Sequence, residues 1–262
     1  MDYKGIKEYL KQDLEGVNAL MGKSLSSDIA LLDKTNKSVL AHSGKQIRPV
    51  LCLLAARACS GGFVTEDTLL YASAVELLHN ATLLHDDVAD DSPMRRGVPT
   101  VMSLLGGRAS VLLGDYWLVK GMENILASAN SSAKVIRIFA ATLSDLAEGE
   151  LLQLQKADTG DTLEQDYYKI IYNKTSSLFV AAATSGAMSV GASEDKMKAV
   201  RTYAKCLGQA FQIKDDIFDY LDDQQTGKPA GLDLKERKIT LPLLGALKNV
   251  SEERAKEIRR MV

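Results

Sequence analysis

The sequence contains few of the residues that are typical of disulfide-rich, zinc-binding or nucleic-acid-binding proteins. Of its 262 residues only three are cysteines, Cys52, Cys59 and Cys206, and none forms a CxxC pair. The odd count and the missing pair argue against a disulfide framework and a zinc site, and they favour buried thiols in a reducing cytoplasm. A net charge of −2 provides no global basic field, so we expect no nucleic-acid partner. Any site for an anionic ligand must therefore be a local cluster of basic residues.

Clear signals for a membrane span or a secretory leader are also missing. Residues 175–193 carry no charge and approach the length of a membrane span, but nine of these nineteen residues are Ser, Thr or Gly. That composition is too polar for lipid and predicts a buried helix packed closely against its neighbours. The N-terminus, MDYKGIKEYLKQDLEG, is charged from its second residue and has no apolar h-region. We therefore expect neither a transmembrane segment nor a signal peptide.

Few prolines interrupt the chain, and no segment shows the convincing apolar–polar alternation of a β-strand. Five prolines occur in the whole sequence, and apolar residues recur at helical spacing over most of its length. Pro93, Gly97 and Pro99 predict a loop. Helices are predicted over residues 3–20, 25–42, 48–59, 65–90, 101–104, 108–128, 132–155, 163–190, 195–221 and 251–261. The sequence therefore predicts an all-α fold, a single large helical bundle.

A first aspartate-rich segment follows a long apolar helix and reads HNATLLHDDVADDSPMRRG over residues 79–97. At helical spacing His79, Thr82, Asp86 and Asp90 lie on one face. Asp86 and Asp90 are one turn apart, roughly 6 Å along the helix axis. Two carboxylates at this separation can hold Mg²⁺ and leave coordination positions open for water and phosphate oxygens.

A solvated acidic helix end is the alternative interpretation of such a charge run. Four aspartates at a helix C-terminus oppose the helix dipole, however, and Leu83 and Leu84 precede them as expected for a buried helix. Arg95 and Arg96 follow, and their guanidinium groups suit diphosphate oxygens. The segment therefore favours a bound cation beside a diphosphate.

A second aspartate-rich segment, QIKDDIFDYLDD, covers residues 212–223. Gln212, Asp216, Asp219 and Asp223 share a helix face, with Asp215 beside them. A single DDxxD is a weak signal, since a solvated helix end explains it equally well. Two such segments, each closing a buried helix and each followed by a basic loop, favour two acidic walls that hold several Mg²⁺ ions around one diphosphate.

Taken in order, these residues resemble the trans-isoprenyl diphosphate synthases, most closely the long-chain, octaprenyl-type subgroup. The matching elements are GKQIRP (44–49), LLHDDVADDSPMRRG (83–97), Lys174-Thr175, FQIKDDIFDYLDD (211–223) and GKPAGLDLKERKITLP (227–242). The resemblance implies a single isoprenoid-synthase domain over residues 1–262, with a central cavity. Family members continue well beyond Leu241-Pro242, so we expect this chain to lack the C-terminal helices of its longer relatives.

The resemblance also implies the ligands and the residues that bind them. About two to three Mg²⁺ ions per site would bind Asp86, Asp87, Asp90, Asp215, Asp216 and Asp219. The residues that match the isopentenyl diphosphate site are Lys45, Arg48, His79 and Arg96. Those that match the allylic diphosphate site are Arg95, Lys174, Lys228 and Lys238. The expected catalytic groups are Lys174, Thr175, Gln212 and Lys238, of which Thr175 and Gln212 match polar groups near the developing allylic cation.

The reaction implied by the resemblance is a head-to-tail, trans condensation of isopentenyl diphosphate with an allylic diphosphate primer. Mg²⁺ and the basic residues would stabilise the departing pyrophosphate, and no side-chain nucleophile is needed. The family commonly forms homodimers through helices like that over residues 108–128, and a homodimer is expected here.

Product length is expected to depend on the residues beneath the first aspartate segment. Short-chain family members carry Phe or Tyr just before this segment, where this chain has Ala81 and Thr82. These small residues predict a long polyprenyl product. Met122 and Leu126 are candidates for the floor of the tunnel, and ordinary core residues are the competing interpretation for each.

Two other functions share parts of this pattern. A class I terpene cyclase would need an aromatic-lined pocket and a different second metal motif, whereas aromatic residues make up 6% of this sequence and the second DDxxD is intact. A non-catalytic subunit of a heteromeric synthase tends to lose one aspartate motif or its basic partners, and both sets are present here. The sequence therefore favours an active synthase.

Overall fold

The computed structural model describes residues 2–129, 132–221 and 231–261, and these residues are mostly helical. The first half of the chain forms α1 (Tyr3–Tyr9), α2 (Lys11–Ser24), α3 (Ala30–Ala41), α4 (Ile47–Ser60), α5 (Glu66–Ala89), α6 (Val101–Leu105) and α7 (Gly107–Leu126). The second half forms α8 (Ala133–Thr159), α9 (Glu164–Ile171), α10 (Ser177–Ser189), α11 (Glu194–Phe218), α12 (Leu232–Lys235), α13 (Leu241–Lys248) and α14 (Glu252–Met261). The all-α prediction is confirmed.

A small antiparallel pair of strands, β1 (Met94–Arg95) and β2 (Val98–Pro99), stands where the sequence predicted a plain loop. Arg96 and Gly97 form its turn with positive φ angles of 54° and 80°. A two-residue turn of this hand matches the twist of the strands that it joins. Two-residue strands are too short for an alternating pattern, which is why the sequence does not reveal them.

The chain groups into two compact units. Unit 1 contains Met1–Ile138 and Ala181–Arg201, and unit 2 contains Phe139–Val180 and Thr202–Val262. In unit 1, α5 packs along α7 and against α2 and α4. Fifteen of the 24 residues of α5 are buried, as expected for a helix at the centre of a core. Its N-terminus is closed by a capping box between Thr65 and Thr68.

In unit 2, α9 and α13 form a smaller apolar core. Tyr167 and Ile171 of α9 pack with Leu244 and Leu247 of α13 and with Ile239. The sequence did not predict α13, because Pro242 at its start resembled a break. Proline is well tolerated in the first turn of a helix, where its missing N–H has no helical partner to lose.

Two predicted helices are interrupted. The helix predicted over residues 3–20 breaks at Leu10, whose side chain is fully buried and whose backbone leaves the helical region. The helix predicted over residues 163–190 contains a π-helical turn, Tyr172–Ser176, between α9 and α10. Such turns occur often at functional sites, and this one carries Lys174 and Thr175.

Gly208 of α11 allows that helix to pack directly on the π-helical turn. A β-carbon at position 208 would lie 2.6 Å from Cα of Ser176 and 2.8 Å from its hydroxyl oxygen. We expect Gly208→Ala to lower the free energy of unfolding by about 1–3 kcal/mol, because either backbone must move to admit the methyl group. Urea unfolding of the purified variant measures this loss.

Gly245→Ala in α13 is the matched control in the same unit. A β-carbon at position 245 would meet no atom of the described residues within 4 Å. This variant should be neutral or more stable by up to about 1 kcal/mol, because alanine favours helix. If both variants unfold at the same urea concentration as the unmodified chain, the close packing at Gly208 is contradicted.

No helix of the described residues combines the length and the apolar character needed to cross a membrane. The uncharged segment at 175–193 instead contributes fully buried alanines to α10, among them Ala181, Ala182, Ala183 and Ala187.

Candidate active site

The first aspartate segment forms the last turn of α5 in unit 1. The N–H of Asp90 donates to the carbonyl of Asp86 (2.8 Å), and Asp90 is the residue that caps the C-terminus of the helix. Asp86 is half-buried and Asp90 is exposed, on the same face and one turn apart. Asp87 differs from both: it is 4% exposed, and its carboxylate accepts a hydrogen bond from Arg95 Nε at 2.6 Å. In this structure Asp87 therefore holds Arg95 in place.

Arg96 lies at the tip of the β1–β2 turn and reaches back to the loop before α4. Its Nη1 donates to the carbonyl of His42 at 2.7 Å. A β-carbon on Gly44 would come within 2.6 Å of the Arg96 guanidinium carbon. Gly44 also has a φ of 72°, so glycine is required there both for the backbone conformation and for the close approach of Arg96.

The residues predicted to bind isopentenyl diphosphate all belong to unit 1. Arg48 and His79 are partly buried, whereas Lys45 and Arg96 are exposed. Burial lowers the pKa of Arg48 to about 10. Burial and the charges of Arg48, Arg96 and Arg95 hold the pKa of His79 well below its usual value. His79 is therefore a neutral imidazole near pH 7, able to donate a single hydrogen bond to an anion.

Two residues that sequence reasoning missed lie beside this basic group. Glu76 of α5 is 1% exposed, and its charge interacts with Arg48 and Arg96. The Tyr3 hydroxyl donates to the backbone carbonyl of Lys45 at 2.7 Å. A Glu inside an apolar helix, three residues before His79, was the one local signal that could have pointed to Glu76.

In unit 2, a chain of hydrogen bonds joins the π-helical turn to the second aspartate segment. Thr175 Oγ1 donates to Gln212 Oε1 (2.6 Å), and Gln212 Nε2 donates to Asp216 Oδ1 (2.8 Å). The Tyr167 hydroxyl donates to the other oxygen, Asp216 Oδ2, at 2.6 Å. These bonds orient the Gln212 amide and hold Asp216, which is 6% exposed. Burial raises the pKa of Asp216, and its two hydrogen-bond donors lower it.

The other two carboxylates of the second segment have different surroundings. Asp219 accepts the backbone N–H groups of Leu232 (3.0 Å) and Asp233 (3.1 Å), so it caps the start of α12. Asp215 is exposed. Asp233, which was not singled out in the sequence, lies close enough to Asp216 and Asp219 that burial and their charges raise its pKa to about 7.

A cavity of about 250 Å³ in unit 2 brings together groups that are far apart in the sequence. Its lining includes Gln153, Lys174, Gln212, Asp215, Asp233 and Lys238. Lys174 pairs with Glu150 at 2.5 Å, and Lys238 pairs with Glu236. Both lysines are thus held by carboxylates at the edge of a cavity that also contains an exposed aspartate. Lys228 lies outside the described residues.

Carboxylate pairs are the metal-binding groups that the described residues offer. Among these residues, no three His, Cys, Asp or Glu side chains converge as a ready-made metal site. Asp86 with Asp90, and Asp215 beside Asp216, nevertheless fit Mg²⁺, which commonly uses one or two carboxylates together with substrate phosphates and water. Oxygen donors of this kind suit hard cations better than metals that prefer thiolate or imidazole ligands.

The residues predicted to control chain length occupy three different surroundings in unit 1. Ala81 is fully buried, and Thr82 is partly buried with its hydroxyl donating to the His79 carbonyl of its own helix at 2.8 Å. Met122 is partly buried, whereas Leu126 is 56% exposed. The role of each in setting product length stays a prediction.

Comparison with known proteins matches this arrangement to one family. The model of the family described as Polyprenyl synthetase matches residues 18–262. Octaprenyl diphosphate synthase of Escherichia coli is 39% identical over 260 residues, which are 99% of this chain and 79% of the relative.

Solved structures agree with the sequence match. The decaprenyl diphosphate synthase of Rhodobacter capsulatus superposes with a TM-score of 0.90 at 36% identity, covering 99% of this chain and 79% of that one. A polyprenyl synthase of Caulobacter crescentus, solved with calcium and isoprenyl diphosphate, has a TM-score of 0.86 at 34% identity, over 99% and 84% of the two chains. Because the family match extends over both aspartate segments and their basic partners, the chain belongs to the polyprenyl synthetase family.

Proposed function

We propose that this chain is a Mg²⁺-dependent prenyltransferase that condenses isopentenyl diphosphate with an allylic diphosphate and releases pyrophosphate. The observation that supports it most is the cavity of unit 2, where Lys174, Lys238, Gln212 and Asp215 line one space. Two ammonium groups suit a diphosphate, an exposed carboxylate suits its Mg²⁺, and a neutral amide suits a carbocation.

The side chains of the cavity have separate tasks in this reaction. Lys174 and Lys238 bind the allylic diphosphate and neutralise the charge that develops as its C–O bond breaks. The Gln212 amide oxygen directs its dipole towards the allylic cation, and Thr175 orients that oxygen by donating a hydrogen bond to it. Mg²⁺, when bound, acts as a Lewis acid on the leaving pyrophosphate.

The second substrate binds to the basic group of unit 1. Lys45, Arg48 and Arg96 hold the diphosphate of isopentenyl diphosphate, and neutral His79 donates one hydrogen bond to it. Its double bond attacks the allylic cation, and the resulting tertiary cation loses a proton to the departing pyrophosphate. No side chain has to act as a covalent nucleophile, so positioning and charge provide the catalysis.

We also propose that the product is a long-chain polyprenyl diphosphate. The octaprenyl and decaprenyl relatives support this, as do the small side chains of Ala81 and Thr82, one turn before Asp86. A homodimer is proposed as well. Leu112, Val119 and Leu126 are spaced by seven residues along α7 and are each more than half exposed in the single chain, as expected for a face that a second copy covers. The single domain and the cytoplasmic location stay predictions.

Incubation of the full chain with Mg²⁺, isopentenyl diphosphate and allylic primers of increasing length tests this proposal. A synthase releases pyrophosphate and forms linear polyprenyl diphosphates in proportion to the isopentenyl diphosphate consumed. A terpene cyclase would release pyrophosphate from the primer alone and give hydrocarbons. A folded chain that forms no condensation product with any primer would exclude the proposed function.

Tyr167 should support the second aspartate segment through its bond to Asp216. We expect Tyr167→Phe to lower kcat/KM by about 10- to 100-fold, the usual cost of removing a hydrogen-bond partner next to a metal-binding group. The apparent affinity for Mg²⁺ should fall in parallel, and a Mg²⁺ titration of activity measures both.

Tyr168→Phe is the control, because Tyr168 is the next residue, is 37% exposed and touches Tyr167 through its ring. It should leave the Mg²⁺ dependence unchanged. Equal Mg²⁺ titration curves for both variants and the unmodified chain would remove Tyr167 from the site.

A further inference from the structure

Glu76 is a buried carboxylate that the reaction described above does not use. It is 1% exposed and lies on α5 one turn before His79. Asn80 Nδ2 donates to its backbone carbonyl at 2.8 Å. Its Oε2 accepts no hydrogen bond from the described residues. A buried carboxylate oxygen of this kind is costly and rare in folded proteins, so it calls for a reason.

The charges of three basic groups from other elements act on this carboxylate. They are Arg48 of α4, Arg96 of the hairpin and, more weakly, Lys7 of α1. Burial raises the pKa of Glu76 to about 7, and the charges of these residues oppose that rise. Burial likewise lowers the pKa of both arginines, and the charge of Glu76 opposes that fall. The charges of buried Glu76 and of Arg48 therefore stabilise each other's ionised forms, and the charge of exposed Arg96 adds to the stabilisation of Glu76.

We infer that Glu76 is a positioning residue for isopentenyl diphosphate: the charge of its carboxylate stabilises Arg48 and Arg96 in the arrangement that receives the diphosphate. The inference rests on the proposed function, since it takes these two arginines as the ligands of that substrate. Glu76 itself would touch neither the substrate nor the reacting atoms.

The two guanidinium groups need such a partner because like charges repel and the repulsion is weakly screened away from water. Without Glu76, Arg96 would turn towards Asp87, whose charge already acts on it. The substrate would then have to reassemble the pair on binding, and that reorganisation would weaken its affinity. If Glu76 merely opposed the incoming anion, its removal would instead strengthen binding, so the sign of the effect separates the two roles.

Glu76→Gln keeps the shape of the side chain and removes its charge. We expect the KM for isopentenyl diphosphate to rise about ten-fold or more, while the KM for the allylic primer and kcat stay within about two-fold. Glu76→Asp keeps the charge on a shorter side chain and should give an intermediate rise. Calorimetric titration with isopentenyl diphosphate in the absence of primer should show the highest affinity for the unmodified chain, a lower one for Glu76→Asp and the lowest for Glu76→Gln.

Asp67→Asn is the matched control. Asp67 is also a buried carboxylate of α5, 5% exposed, but it accepts the backbone N–H of Ala129 at 2.9 Å. It precedes Glu76 by nine residues, roughly 13 Å along the helix. Its replacement should lower the melting temperature and leave both KM values unchanged. A loss of stability alone therefore cannot produce the expected pattern.

The outcomes separate failure of this inference from failure of the proposed function. If the unmodified chain forms no product and gives no binding heat, the proposed function fails whatever Glu76 does. If it is active and Glu76→Gln leaves the KM for isopentenyl diphosphate unchanged or lowers it, or raises both KM values alike, Glu76 is not a positioning residue. Should Glu76→Gln not fold, Glu76→Asp decides: an unchanged KM for isopentenyl diphosphate overturns the inference.

Discussion

Replacing Asp86 with Asn is expected to reduce the rate of condensation by about a thousandfold or more. The change removes one negative charge from a carboxylate that is half-buried at the end of α5, and it leaves the helix intact because Asn is nearly the same size. Mg²⁺ would then bind less tightly, and the charge of the departing pyrophosphate would be poorly stabilised in the transition state. Asp215→Asn should have an effect of the same order in the second segment. Single-turnover formation of the first condensation product measures both.

Asp91→Asn provides the control for this loss. Asp91 directly follows Asp90 and is exposed, and its φ of 46° is a conformation that Asn also adopts readily. The substitution removes one negative charge from the same helix end, as Asp86→Asn does, and it leaves Asp86 and Asp90 unchanged. If Asp91→Asn is as inactive as Asp86→Asn, the loss reflects the general charge of the segment and not metal binding by Asp86.

Replacing Thr82 with Phe is expected to shorten the product by several isoprene units. Thr82 precedes Asp86 by one turn on the same face of α5, so a large ring there should block a chain that grows past this face. Among the described residues its hydroxyl bonds only to the His79 carbonyl of its own helix, so the change breaks no tertiary hydrogen bond within them. Ala81 is a poorer position for the same test, because a Phe in its fully buried place would overpack the core. Reversed-phase chromatography of the dephosphorylated products gives the chain length.

Leu83→Phe is the matched control one residue further along. Leu83 lies about 100° from Thr82 around α5, and it lines a cavity of about 550 Å³ in unit 1 that Asp87, Arg95 and Arg96 also line. A ring there should leave product length unchanged. The first condensation should continue in Thr82→Phe at a rate within a few-fold of the unmodified chain. An unaltered product distribution would remove Thr82 from the determinants of chain length.

Much of the fold could be predicted because helices depend on local patterns. The apolar spacing of α5 and α7 and the small number of prolines located most helices to within a few residues. The aspartate segments were found in the same way, because Asp86 and Asp90 are neighbours on one helix and their spacing alone makes them a pair. The resemblance to a synthase family then suggested the basic residues, and the family itself is confirmed.

Other features depend on contacts between residues far apart in the chain, and the sequence could not reveal them. The helix breaks at Leu10, whose side chain is fully buried, and the π-helical turn at Lys174 lies where Gly149 and Gly208 bring other helices against it. Neither leaves a local signal, because both sequences have good helical spacing on their own.

The sequence by itself determined the all-α class, the family and the aspartate pairs, because each of these is written in residues close together along the chain. Only the tertiary structure decided how those residues are used. In the structure the Asp87 carboxylate accepts a hydrogen bond from Arg95. The Tyr167 hydroxyl donates to Asp216, which lies 49 residues further along the chain. Glu76 is buried where the charges of Arg48 and Arg96 act on it. The physical reason is that hydrogen bonds and charge pairs depend on distance in space, which spacing along a helix predicts within one element and not between elements.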